Sequence, residues 1–75
     1  MARSRDHYRV DVYDQKDPHS APVLRPGASG TLVAYDDAEA IREAQLFVAQ
    51  YKPTFIVVRN GDRVIHKSDA VFPDA

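Results

Sequence analysis

The side chains best suited to chemistry are three histidines, a few serines and the paired carboxylates. His7 and His66 fall in stretches of alternating residue type, with Asp11 and Asp69 near them in sequence. Imidazole mixed with carboxylate suits zinc or another borderline cation. No two of these residues have the spacing of a ligand pair, such as i, i+4 on a helix, so solvated or edge-strand histidines are expected and no metal. Ser20, Ser29 and Ser68 can each be drawn into a Ser/His/Asp set. None stands in a nucleophile elbow, and a chain this small has little room for a shaped substrate pocket. Pro26-Gly27-Ala28-Ser29-Gly30 carries glycines but fits neither a P-loop nor a dinucleotide fingerprint, and a strand pattern follows it rather than a helix. Asp36-Asp37 is explained by its place at a helix start. No enzyme activity and no cofactor are therefore expected.

Basic residues offer a different chemistry. Arg9, Arg59, Arg63 and Lys67 lie on predicted strands and would form a local cationic patch, with Tyr13 and Tyr35 available to stack on bases. Asp11, Asp62 and Asp69 are interleaved with them, and pairing of Arg59 with Asp62 across a hairpin would satisfy the charge locally.

These residues must be held by few elements. Over residues 7–13, Tyr8, Val10 and Val12 point one way while Arg9 and Asp11 point the other, the period-two pattern of a half-buried strand. Residues 14–30 break the pattern with Pro18, Pro22, Pro26, Gly27 and Gly30, which predicts a long irregular connection in which Val23-Leu24 forms a short edge segment or pins the loop. A second strand is expected over 31–35, antiparallel to the first. Asp36 and Glu39 then make a capping box, and a helix runs from about 37 to 51, ended by Pro53. Ala40, Ile41, Ala44, Phe47, Val48 and Tyr51 share a stripe about 120° wide on it, and Leu46 lies outside that stripe.

Residues 54–67 read as a hairpin around Asn60-Gly61. A two-residue loop there pairs Arg59 with Asp62, Val58 with Arg63 and Phe55 with His66. One face carries Phe55, Val57, Val64 and His66, and the other Ile56, Val58, Ile65 and Arg63. Since one helix covers one face of a small sheet, an apolar face is left for the loop, for Phe72 in the tail, or for another chain.

Composition sets the outer limits. With 75 residues the chain makes a single domain and buries only about 60 to 65% of the surface it exposes when unfolded. Val, Ile, Leu and Phe account for 18 residues, enough for a small core. There is no cysteine, so thiolate chemistry and disulfide staples are excluded. Ten basic residues against eleven acidic ones give a net charge of −1, with no global pull toward nucleic acid or anionic lipid. No apolar run approaches a membrane span, and the charged start lacks the apolar stretch of a secretory signal, so a cytoplasmic protein with no membrane association is expected.

The region 36–67 resembles a class of small bacterial proteins without an assigned activity, in which a capped Asp-x-x-Glu-Ala-Ile-x-x-Ala helix leads into a β-hairpin. The matching residues are Asp36, Glu39, Ala40, Ile41 and Ala44, then Gly61, Arg63 and Ile65. The resemblance implies no site residues. More loosely, the strand–strand–helix portion is similar to the antitoxin half of toxin–antitoxin pairs, although the glycine-containing turn before the helix and a DNA-binding tail are missing. The expected fold is α+β in ββαββ order, one helix on a mainly antiparallel four-stranded sheet. About six residues at the N-terminus and six to eight at the C-terminus are expected to be flexible. The expected function is a non-enzymatic protein-interaction module, a homodimer or the ligand of a small protein partner, contacting through Leu46, Ile56, Val58 and Ile65. The alternative is a nucleic-acid-binding or antitoxin-like regulatory domain using Arg9, Arg59, Arg63 and Lys67.

Overall fold

The computed structural model describes residues 4–72. The remaining parts of the chain-end segments expected to be flexible, 1–3 and 73–75, lie outside the described residues. Six elements follow in order: β1 (Asp6–Asp14), β2 (Val23–Leu24), β3 (Gly30–Ala34), α1 (Asp37–Val48), β4 (Phe55–Asn60) and β5 (Arg63–Lys67). The architecture is α+β, as expected, with one helix and an antiparallel sheet. The sheet has five strands rather than four, because Val23-Leu24 pairs with Tyr13 and Asp14 as a strand of its own.

Strand β1 is the centre. On one side it pairs with β4, from Arg9–Arg59 to Tyr13–Phe55. On the other it pairs with β3 over its first half, Asp6–Ala34 to Val10–Gly30, and with β2 over its end. Thus β2 and β3 share one edge of β1, and the amide of Arg25 bridges the gap by donating to Val12 O at 2.8 Å. Both β3 and β4 are antiparallel to β1, hence parallel to each other, and α1 is the crossover between them.

The alternation read in β1 holds. Tyr8, Val10 and Val12 are buried at 3%, 1% and 0% exposure, and they meet Ile56, Val58 and Ala34 beneath the helix. The helix contributes Ala40, Ala44 and Val48, a one-residue-wide row at i, i+4, i+8 that brings its backbone close to the sheet. Phe47, at the margin of the expected stripe, and Tyr51, within it, pack on each other with ring centroids 5.7 Å apart. The Phe47 ring also lies over Gly30, where an added Cβ would come within 3.3 Å of it.

The helix starts as read. Asp36 Oδ1 accepts from the amide of Glu39 at 2.8 Å, and Glu39 reaches back to the amide of Tyr35. It stops three residues earlier than expected. Tyr51 N donates to Val48 O in a tightened last turn, and Lys52 takes a positive φ of 48° ahead of Pro53. Proline disfavours helical geometry in the residue before it, and Lys52, which links this turn to Pro53, takes a left-handed conformation that glycine adopts at less cost.

The hairpin register differs from the expected one. Asn60 pairs with Arg63, so the loop residues are Gly61-Asp62, with positive φ at Gly61 alone as in a type II′ turn. Between Arg59–Val64 and Val58–His66 the ladder slips by one residue, leaving Ile65 as a bulge in β5. The bulge moves His66 to the helix side and Lys67 to the opposite side. Arg59 therefore faces Val64, not Asp62.

The connection over 15–29 is tied down at several points. Arg25 grips Asp14 with two nitrogens, at 2.7 and 2.5 Å, and donates a third bond to Tyr51 O at 2.6 Å. This one side chain joins the loop, the end of β1 and the turn after α1. Beyond β5, residues 68–71 run on beside β4. Ser68 N donates to Ile56 O, Ser68 Oγ accepts from Ile56 N, and Val71 N donates to Thr54 O. Backbone pairing thus anchors this segment in addition to the half-buried Phe72.

Candidate functional site: the helix-free face of the sheet

Partners across a ladder share a face, so the registers fix what the sheet shows away from α1. One row reads Thr31, Arg9, Arg59, Val64 across β3, β1, β4 and β5. The next reads Asp11, Val57, Lys67, and the last Leu24, Tyr13, Phe55. At the centre, Arg9 Nε donates to Asp11 Oδ1 at 2.8 Å while Arg59 Nε lies 3.4 Å from Asp11 Oδ2. The Asp11 side chain is only 7% exposed, against 60% for Arg9 and 39% for Arg59. Two guanidiniums on adjacent strands are thus joined by one buried carboxylate and open outward to solvent. The hydrogen bond from Arg9 raises its pKa above the ordinary value. Arg59 Nε is buried and makes no hydrogen bond, since its contact with Asp11 is ionic but poorly aligned.

Beside this triad, Tyr13 and Phe55 stack with centroids 5.0 Å apart and planes 14° from parallel. Lys67 Nζ lies 5.0 Å from the Phe55 centroid, a cation–π contact. Phe55 and Val57 are buried at 6% and 7%, while Val33 and Val64 stand open on the same face at 42% and 50%.

Of the four basic residues singled out in the sequence, three come together here: Arg9, Arg59 and Lys67. Arg63 does not. It lies on the helix side, 3.4 Å from Asp37 Oδ2. Asp37 also accepts from the buried Tyr8 hydroxyl at 2.9 Å; burial first, and then this bond, raises the tyrosine pKa. Of the two tyrosines suggested for stacking, Tyr13 is on the face, whereas Tyr35 follows β3 with Arg5 5.7 Å from its ring.

The apolar contact residues are distributed differently. Ile56 and Val58 lie beneath α1 at 2% and 0% exposure, so they offer no surface in the folded chain. Ile65 is partly buried against the same core. Leu46 is on the surface at 68%. Sequence reasoning missed Asp11 as the hub of the face, although its outward place in β1 was visible. What it lacked was the β1–β4 register that sets Asp11 between two arginines.

A cavity of about 200 Å³ opens beside the triad, lined by Arg9, Ser29, Gly30 and Thr31. A larger hollow of about 520 Å³ lies at the other end of β1, between the 15–21 loop and Lys52. Among the described residues no group of three or more His, Asp or Glu side chains could hold a metal ion. No helix among them is long and apolar enough to cross a membrane. No family model, curated protein or solved structure matches the chain.

Proposed function

We propose that this chain is a non-catalytic binding module that takes a single-stranded nucleic acid on the helix-free face of its sheet. The observation that carries the reading is the convergence of Arg9, Arg59 and Lys67 on one face beside the Tyr13–Phe55 stack. Asp11 offsets one of the three charges, leaving the face cationic on a chain whose net charge is −1. The acidic residues of the helix and its cap, Asp36, Asp37, Glu39 and Glu43, belong to the other side of the sheet, so the charge is divided between the two sides. A flat face with guanidiniums and a ring edge suits splayed bases and an exposed backbone; a duplex groove asks for a protruding helix or ribbon.

Fluorescence anisotropy with a labelled 15-nucleotide oligothymidylate tests the reading. Two or three phosphate contacts to a single strand predict a loss of about sevenfold to twentyfold in affinity between 50 and 200 mM salt. Arg59→Gln and Lys67→Gln are each expected to weaken binding and flatten the salt slope. Salt-independent binding, or none, overturns the proposal.

Self-association is a second reading, favoured by Leu46 at 68% exposure on α1. Its test is sedimentation equilibrium, with a mass above 8.4 kDa that Leu46→Lys returns to the monomer value as the supporting result. A monomer at high concentration removes it.

A further inference from the structure

We infer that the cavity lined by Arg9, Ser29, Gly30 and Thr31 is a seat for one phosphate group. The inference rests on the proposed function for one of its two possible phosphate sources, the backbone of a bound strand, and not for the other, free phosphate.

Four observations meet at this place. The cavity, at about 200 Å³ and open to solvent on one side, has room for a tetrahedral oxyanion and part of its shell. Its cationic wall is Arg9, whose Nε is committed to Asp11 at 2.8 Å. That bond fixes the plane of the guanidinium, and among the described residues the two terminal nitrogens have no partner. They form the fork that matches two oxygens of a phosphate. Ser29 lines the cavity while its Oγ is turned inward, buried and without a hydrogen-bond partner, so rotation about χ1 toward a bound anion breaks no bond and satisfies the hydroxyl. Thr31 is exposed next to Arg9 across the β1–β3 ladder and brings a second hydroxyl to the same wall.

Selectivity follows from the same parts. Asp11 lies on the Nε side of Arg9, so an incoming anion is attracted to the terminal nitrogens and repelled from the carboxylate. Arg59, the ladder partner of Arg9, adds a second positive charge on the side away from Thr31. Both oxygens of a carboxylate are taken up by the Arg9 fork, whereas inorganic phosphate has two more for the hydroxyls; the phosphodiester of a strand, with two free oxygens, offers one to the fork and one to a hydroxyl.

The test uses the full chain labelled with 15N. Inorganic phosphate is titrated first and oligothymidylate second, with amide shifts read throughout. Phosphate is expected to move the amides of Ser29, Gly30 and Thr31 and the Nε–H of Arg9 in a saturating manner. The double variant Ser29→Ala with Thr31→Val keeps the fold, which its amide dispersion verifies, and is expected to weaken phosphate about tenfold or more through loss of hydrogen bonds to a charged group. Arg9→Lys, which keeps the charge but loses the fork, is expected to weaken it as well. Phosphate shifts at 29–31 without oligonucleotide binding support the seat and remove the strand-binding reading. Oligonucleotide binding that is sensitive to Arg59→Gln but unchanged in the double variant, with no phosphate shifts at 29–31, overturns the seat and leaves the strand-binding reading standing. Silence toward both ligands overturns both.

Discussion

Asp11 separates two guanidiniums that would otherwise confront each other across a strand pair, where like charges directly opposite are destabilising. Its removal exposes that repulsion in addition to losing the 2.8 Å bond to Arg9. Asp11→Ala is therefore expected to lower unfolding free energy by about 1 to 3 kcal/mol, with a larger loss at low salt, measured by urea denaturation. Asp14 makes a different prediction. Its hydrogen bonds to Arg25 hold the carboxyl below its ordinary value of 3.8. The unfolded chain then takes up the proton more readily than the folded one, so the contribution is complete above the ordinary value and disappears as pH falls through the lower, folded one. Asp14→Asn is expected to flatten the acid limb of stability below about pH 4 and to leave its alkaline limb unchanged, as urea midpoints at stepped pH would show. Tyr8 acts at the other end of the scale. Its raised pKa stabilises the fold below the ordinary value of 10.0, and that stabilisation is lost as pH rises through the folded one.

At the scale of the elements, the end of α1 is the place where local preference and structure conflict. Lys52 holds a φ of 48°, which costs a residue with a Cβ about 1 to 2 kcal/mol and glycine almost nothing. Part of that gain is returned as the greater freedom of glycine in the unfolded chain. Lys52→Gly is expected to stabilise the protein by about 1 kcal/mol and raise Tm by roughly 5 °C, read by calorimetry or circular dichroism. The same conflict explains where sequence reasoning stopped. Alternation in β1 and the Asp36 cap were legible because each is decided by neighbours within a few residues. The helix end was not, since Ala49 and Gln50 are compatible with helix and only the demands of Pro53 and of the turn shortened it. The hairpin was legible as a hairpin, yet its loop lay one residue further on and its bulge at Ile65 was hidden. Val64, Ile65 and the residues around them look alike to a period-two pattern, and packing of Ile65 against the core chooses among the registers. That one-residue slip decides which side Lys67 occupies, so the cationic face was legible in its residue types but not in its membership. Asp11 and the Ser29–Thr31 cavity depend on contacts between distant parts of the chain, and no local signal carries them.

Across the whole molecule, the apolar excess that the hairpin showed in sequence is absorbed from both sides. The helix covers Ile56 and Val58, while the Tyr13 ring and the Lys67 ammonium lie against Phe55. The segment after β5 continues the work of the sheet, with Ser68 taking the place of a strand residue opposite Ile56. This segment also decides how the chain would answer to tension. The described chain begins at the end of the sheet where Asp6 meets Ala34, and by Val71 it has reached the opposite end, beside Thr54. Strands β1 and β5 run in the same direction on either side of β4, so a pull applied between the two termini draws β1 one way and β5 the other, along their own axes. The load then falls on every rung of the β1–β4 and β4–β5 ladders at once, in shear, instead of opening them one rung at a time. Joined head to tail, copies of this chain would form a string of mechanically stiff beads, each presenting its cationic face alongside the line of force.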